Sequence, residues 1–194
     1  MTDTRDRLLD AARKIFAKEG LEGLSVRQVA KAAGLSPMAM YRHFADKDAL
    51  IDALMRDGFA AWEKIAGGIS ARDPVRWLEK LVEAYLDFAL DDPHRFDAAF
   101  LLPAREARKY PDDFAAGRSP VIAMTMARIE AAQASGAIAP LPPLRIALML
   151  SGLLQGLVSM HRARRFASDA QFRALYRTAV RDCFALFAAK GKTP

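Results

Sequence analysis

Signals that begin helices recur along the whole chain, and they constrain the fold more than any other feature of the sequence. Two Ser-x-x-Gln capping boxes begin at Ser25 and Ser168. Four further positions put a capping residue directly before a proline, the favoured order at the start of a helix: Ser36-Pro37, Asp73-Pro74, Asp92-Pro93 and Ser119-Pro120. Each signal marks the start of one helix, so signals this frequent predict a chain built of many helices.

The apolar residues between these signals recur at helical spacing, and no run of alternating β-branched residues predicts a strand. The sequence therefore predicts an all-α fold of about nine helices. The predicted helices cover residues 4–19, 25–32, 36–43, 46–67, 73–90, 93–102, 119–135, 143–165 and 168–190.

The lengths of these helices divide the chain into two domains. The first three are short and close together, whereas those after Asp46 are mostly long, as in a bundle. We expect residues 1–55 to form an N-terminal three-helix domain and residues 56–194 a C-terminal helical bundle, with an irregular connection over 103–118.

Composition excludes several classes of protein. Among 194 residues, 52% are apolar and 27% charged, which is typical of a globular domain and not of a disordered chain. A single cysteine excludes a disulfide framework and a thiolate zinc site, and His43, His94 and His161 lie too far apart for a local metal motif. We expect neither a metal nor another cofactor. No phosphate loop, dinucleotide fingerprint, G-x-S-x-G or H-E-x-x-H motif indicates an enzyme.

Two further expectations concern localisation. The charged N-terminus, MTDTRDRLLDAARK, has no apolar segment for secretion. The most apolar stretch, residues 146–158, is 13 residues long, which is too short to cross a bilayer. We expect a cytoplasmic protein with no membrane partner.

The distribution of charge is more informative than its total of +6. Residues 24–45 contain three basic side chains, Arg27, Lys31 and Arg42, and no acidic one, although acids flank this window on both sides. A surface that faces DNA phosphates needs such an acid-free segment.

The same window has the properties of a helix-turn-helix. Ala30 is a small residue where two helices would cross, Gly34 suits a turn that needs a positive φ, and Val29, Leu35 and Met40 supply apolar contacts around them. In this arrangement the second helix enters the major groove of double-stranded DNA.

Residues 34–50 resemble the N-terminal signature of the TetR family of bacterial transcriptional regulators. That signature is approximately G-[VL]-S-x-x-x-[LIV]-Y-x-[HY]-F-x-[SDN]-K-x-x-L, and it is matched in register by Gly34, Leu35, Ser36, Tyr41, His43, Phe44, Asp46, Lys47 and Leu50. The preceding segment also fits, through Ala11, Ala12, Phe16, Gly20, Leu24 and Ser25. Met38 departs from the small residue common there, and Met40 replaces the usual Leu, Ile or Val.

The resemblance implies a DNA-binding role for the second helix and its flanks. Tyr41, His43 and Lys47 would contact phosphates, which positions the protein without reading sequence. Arg27 and Arg42 would reach base edges, where arginine donates two bonds to guanine. The helix itself would present Ser36, Pro37, Met38 and Ala39 at the groove.

Structural alternatives remain open for these side chains. Tyr41 could be a half-buried aromatic residue, and His43 could cap or pack. Arg42 is as well suited to contact a phosphate as a base. Lys31 could be an ordinary solvated lysine that contacts no DNA.

Apolar residues at helical spacing in the middle of the chain fit either a core or an adaptable ligand pocket. We expect an apolar small-molecule effector, neutral or cationic because few charged residues could face inward, with Tyr85 as its hydrogen-bond partner. The predicted ligand-binding residues are Trp77, Tyr85, Phe88, Phe96, Phe100, Met124 and Met126.

The last two predicted helices carry more apolar surface than two terminal helices of a small bundle need. In proteins that resemble TetR, the final helix pair forms a four-helix dimer interface, and we expect a homodimer with Leu154, Val158 and Phe184 at the contact. Burial within one chain is the alternative for each.

These expectations combine into a dimeric, ligand-responsive repressor that binds a palindromic operator. A regulator without an effector is one alternative, and a helical binding protein for apolar compounds without DNA function is another. The acid-free window argues against the second.

Overall fold

The computed structural model describes residues 3–189, which form ten helices and no strand. Within these residues, one isolated bridge joins Ile138 and Ala188. The helices are α1 (Thr4–Gly23), α2 (Val26–Ala32), α3 (Pro37–Tyr41), α4 (Lys47–Gly67), α5 (Pro74–Asp91), α6 (Pro93–Phe100), α7 (Asp112–Ala115), α8 (Pro120–Ala134), α9 (Pro143–Arg162) and α10 (Asp169–Phe187). The predicted all-α class is confirmed.

Most capping signals act as predicted. The side chains of Ser25, Ser36 and Ser168 accept the amide hydrogens of Gln28, Ala39 and Gln171 at 3.1–3.2 Å. Asp73 and Asp92 likewise accept the amides of Arg76 and Arg95. Ser119 is an exception, because its side chain makes no cap bond.

Several predicted helix bounds were wrong. Residues 103–118, predicted as irregular, include the four-residue helix α7. Three helices end earlier than predicted, α3 at Tyr41, α6 at Phe100 and α9 at Arg162. Apolar Leu101 and Leu102 extended the predicted α6, whereas α9 ends just before Arg164, which has a φ of +56°. Helix α10 ends at Phe187, and its predicted end at Lys190 lies outside the described residues.

The first of two compact units comprises residues up to Trp62 together with Asp91–Ala107. Its core is formed by α1–α4, with fully buried Leu8, Val29, Met40 and Leu50. Helix α6 packs closely on α4 at Gly58, where an added Cβ would lie 2.5 Å from the Arg95 carbonyl oxygen. The division into a DNA-binding domain, residues 1–55, and a C-terminal domain, residues 56–194, stays a prediction.

The second unit comprises Glu63–Leu90 and the described residues from Arg108 to Ala189. Helix α9 packs on both α8 and α10. Helix α10 is joined to α5 by the Tyr176 hydroxyl, which donates to the Val82 carbonyl at 2.7 Å, and by the ion pair of Arg177 with Glu83 at 2.9 Å.

Helix α9 is long and apolar enough to cross a membrane, judged by length and composition alone. It has 20 residues and a window of mean hydropathy 1.4, of which 28% is buried. The 13-residue apolar stretch of the sequence analysis lies within this helix, and the whole helix meets the criterion that the shorter stretch did not. The core helix of a soluble protein meets the same criterion, so this is weak evidence for a membrane helix.

Candidate nucleic-acid interface

Hydrogen bonds fix the conformation of the turn between α2 and α3. The Leu35 amide donates to the Ala30 carbonyl at 2.9 Å and the Gly34 amide to the Lys31 carbonyl at 3.1 Å, closing α2. Gly34 has a φ of +67°, which glycine adopts without strain. Arg7 of α1 donates to the Ala33 carbonyl at 2.7 Å, so α1 also holds the turn.

The side chains predicted to meet DNA lie on α2, on α3 and on the residues that directly follow α3. Met38 is 69% exposed and Tyr41 52% exposed, and Arg27, Arg42 and His43 are exposed as well. Ser36 and Pro37 begin the helix, and half-buried Ala39 supplies its capped amide. A short, rigidly capped helix therefore presents a contiguous set of polar and apolar groups to solvent.

Buried Met40 fixes the opposite face of α3. It is 0% exposed and packs in the core of the first unit with Val29 and Ala30. Phe44 is buried too, with the Arg5 guanidinium 5.3 Å from the centre of its ring. This inward face sets the angle at which the exposed face of α3 is held.

Lys47 differs from the other predicted phosphate contacts. It is half-buried, and its Nζ donates to the Leu21 carbonyl at 3.0 Å. An ammonium group has three N–H donors, so this bond leaves others for a phosphate. Lys47 thus ties the start of α4 to the end of α1 in addition to any contact with DNA.

Sequence reasoning missed an ion-pair network that joins α1, α4 and α6. Asp57 accepts from Arg13 through two bonds of 2.9 and 3.0 Å, and from the Nε of Arg95 at 3.1 Å. These residues, with Lys14 and His94, also line a cavity of about 330 Å³ in the first unit. No local spacing indicates the network, because its members are 38 and 44 residues apart.

The predicted effector residues are divided between the two units. Phe96 and Phe100 lie in the first, where their ring centroids are 4.8 Å apart and Phe100 lies 5.3 Å from Phe59 of α4. The others belong to the second unit: Trp77, Tyr85 and Phe88 are buried on α5, and Met124 and Met126 are half-buried on α8.

Two of the buried aromatic residues on α5, Trp77 and Tyr85, are affected by their surroundings in ways that bear on ligand binding. The Trp77 indole donates to the Ile69 carbonyl at 3.2 Å, and the Arg128 guanidinium lies 5.4 Å from the centre of its ring. Burial raises the pKa of the Tyr85 hydroxyl, so this group stays protonated and can donate a hydrogen bond. The role of these residues in binding an effector stays a prediction.

The predicted dimer residues have different environments within one chain. Leu154 and Val158 are 5% and 0% exposed, so each is buried by its own chain, whereas Phe184 is half-buried. The same helix α9 exposes Met149 and Met160, about half of each. Sequence periodicity did not distinguish these two faces.

Family models match both parts of the chain. Residues 8–54 match the model of bacterial regulatory proteins of the tetR family. Residues 78–183, more than half of the chain, match a tetracyclin repressor-like C-terminal domain.

Curated relatives are transcriptional repressors. The HTH-type transcriptional repressor Rv1474c of Mycobacterium tuberculosis is 31% identical over 174 residues, which cover 84% of this chain and 87% of that protein. The HTH-type transcriptional repressor AcnR of Corynebacterium glutamicum is 32% identical over 96 residues, or 50% of this chain. That match spans 45% of the length of AcnR.

A solved structure extends the likeness to the whole fold. A protein of unknown function from Rhodococcus sp. RHA1 has a TM-score of 0.75 and 28% identity, and the match covers 97% of both chains. The predicted family is confirmed by these matches. The chain belongs to the TetR family of bacterial regulatory proteins, which are DNA-binding transcriptional regulators.

Proposed function

We propose that this chain is a transcriptional repressor that binds double-stranded DNA as a homodimer and is released by an apolar small molecule. The exposed face of α3 carries the DNA-binding part of this proposal, because Tyr41, Arg42 and His43 are exposed beside a rigid turn in a window without acids. Tyr41, His43 and Lys47 hold phosphates, and Arg27 and Arg42 reach base edges.

Phosphate contacts are tested by replacing each side chain with alanine. Tyr41→Ala and His43→Ala should weaken binding to matched and unmatched duplexes by similar factors, because phosphates carry no sequence information. Lys47→Ala should also reduce the slope of log affinity against log salt by about 0.9 per contact. Gel-shift titration of the DNA upstream of the chain's own gene measures both. Parental affinity in all three folded variants would contradict the assignment.

Assembly as a homodimer is supported by helix α9. Its exposed face carries Met149, Gly152, Gly156 and Met160, and an added Cβ at either glycine meets no atom within 4 Å. Half-exposed Leu175 lies on the neighbouring helix α10. An apolar face of this kind is what a second copy of the chain would cover.

A dimer explains how two recognition helices bind one operator. Paired helix-turn-helix units need a spacing of about 34–36 Å, one duplex turn, or a multiple of it. Sedimentation at micromolar concentration should therefore give a dimer, and a monomer at that concentration would contradict the proposal.

The effector is an apolar molecule, neutral or cationic, bound by the aromatic face of α5 and the methionines of α8. Tyr85 and Trp77 are buried on α5, and Met124 and Met126 are half-buried on α8. These side chains are uncharged, and one positive group, the Arg128 guanidinium, lies beside Trp77. Burying an ionic ligand among apolar side chains would be costly, which favours a largely apolar one. Tyr85 supplies the hydrogen bond.

Release of DNA would follow a change in helix α4, which carries Lys47 at its start and enters the second unit at Glu63. A ligand shifts such an equilibrium only by its difference in affinity for the two states. As a regulator of this kind, the protein is proposed to act in the cytoplasm and to have no catalytic role.

A thermal-stability screen against metabolites and drugs tests the effector. Apolar compounds should both raise the melting temperature and release DNA. If only multiply anionic compounds do so, the proposed ligand class is wrong while the DNA-binding proposal stands.

A further inference from the structure

Three acids follow the acid-free window at the start of α4. Asp46 and Asp48 are exposed on either side of Lys47, and Asp52 is buried one turn later. The Asp46 carboxylate accepts the Ala49 amide at 2.7 Å, so it caps the helix. Uncompensated, these carboxylates would repel the phosphates that Lys47 is proposed to hold.

One guanidinium from a distant part of the chain lies among all three acids. Arg105 is 3.1 Å from a carboxylate oxygen of Asp46, 3.4 Å from one of Asp52 and 3.9 Å from one of Asp48. Arg105 is 59 residues from Asp46 and lies outside the helix-turn-helix. Its side chain remains 53% exposed, so it is at the surface with the exposed acids.

The segment that carries Arg105 is itself fastened to α4. The Glu106 amide donates to Asp52 at 3.1 Å, and the Glu106 carboxylate pairs with Arg56. Arg105 is therefore held in place by contacts other than its own. The Ala49 amide and Arg105 lower the pKa of Asp46, which keeps this carboxylate ionised.

We propose that Arg105 is a positioning residue for DNA binding, which pairs with the acids at the start of α4, offsets part of their charge and so leaves Lys47 and its neighbours able to approach phosphates. This inference rests on the proposed DNA-binding function. Arg105 acts through Asp46, Asp48 and Asp52 and makes no phosphate contact of its own.

The test compares four proteins: the parent, Arg105→Gln, the triple variant Asp46→Asn, Asp48→Asn, Asp52→Asn, and the combination of all four changes. Asparagine keeps the oxygen that accepts the Ala49 and Glu106 amides, so the caps are retained. The probe is a fluorescent 30-base-pair duplex of mixed sequence, titrated at 50 mM and 300 mM salt by anisotropy.

Arg105→Gln should weaken binding about tenfold at 50 mM salt, and the loss should shrink at 300 mM because exposed charges are screened. In the triple-Asn background the same change should cost clearly less, because no carboxylate is left there to pair with Lys47 and only the loss of one positive charge remains. The triple variant alone should bind more tightly than the parent.

Three results would overturn the inference. Parental affinity in Arg105→Gln would show that the acids do not affect DNA, and so would parental affinity in the triple variant. A tenfold loss that persists in the triple-Asn background would show that Arg105 acts through its own charge and not through the acids.

Controls distinguish these outcomes from a general effect of removing one positive charge, from loss of fold and from failure of the DNA-binding proposal itself. Arg76→Gln on α5 removes the same charge from an exposed ion pair with Glu79 and should leave binding unchanged. Circular dichroism and melting temperature identify loss of fold. If Arg105→Gln does not fold, the triple variant, which keeps Arg105, tests the inference by whether it binds more tightly than the parent. If the parent itself does not bind the duplex at 50 mM salt, the proposed function fails, whereas a loss in Tyr41→Ala but not in Arg105→Gln refutes only this inference.

Discussion

The two units differ in how their residues make a functional surface. In the first, the candidate DNA-binding side chains are exposed and are held by local hydrogen bonds, such as the cap from Ser36 and the turn at Gly34. In the second, the candidate effector and dimer residues are apolar, and neighbours on one helix have opposite environments, as buried Leu154 and exposed Met160 do on α9.

This difference determines what kind of substitution is informative in each unit. An exposed polar residue of the first unit can be removed without loss of fold, so its effect on DNA binding is not confused with unfolding. An apolar residue of the second unit must first be assigned to the core or to the surface, because the same change unfolds the chain in one case and separates two copies in the other.

The largest expected effect contrasts the two faces of α9. Leu154→Glu places an unpaired charge in the core and should cost about 4 kcal/mol or more of unfolding free energy. Met160→Glu, on the exposed face, should retain the fold and yield monomers. Urea unfolding and sedimentation distinguish the two. A folded monomer for Leu154→Glu would return that residue to the interface, as the sequence predicted.

A smaller effect is expected in the ion-pair network of the first unit. Asp57→Ala leaves two half-buried guanidiniums, Arg13 and Arg95, without their shared carboxylate and should destabilise the fold by about 2 kcal/mol. Asp10→Ala removes a more exposed partner of the same Arg13 and should change stability by about 0.5 kcal/mol or less. Equal losses in thermal unfolding would show that the link to α4 and α6 has no special weight.

The smallest effect concerns the cap of α4. The Ala49 amide and Arg105 lower the pKa of Asp46 below its ordinary value of 3.8. The resulting stability is fully present above pH 3.8 and is lost as the pH falls through the lower pKa of the folded protein. Asp46→Asn keeps the cap but removes this dependence, so its melting temperature should fall less steeply below pH 3.8 than the parent's. Parallel curves would contradict the pKa shift.

Interactions within a few residues made much of the first unit predictable. The caps at Ser25 and Ser36 depend on residues three positions away, and the turn depends on glycine at one position. The buried stripe of Val29 and Met40 follows from helical periodicity. The four-residue helix α7 escaped prediction because it has no apolar stripe and no side-chain cap.

The sequence alone determined the all-α class, the family and the composition of the recognition helix, since capping, periodicity and a local signature fix each of them. Tertiary structure alone decided that Lys47 donates to Leu21, that Asp57 joins three helices and that Arg105 lies among the acids of α4. It also decided which apolar residues of α9 are buried. These outcomes depend on contacts between residues tens of positions apart, and no spacing along the chain encodes which partners meet.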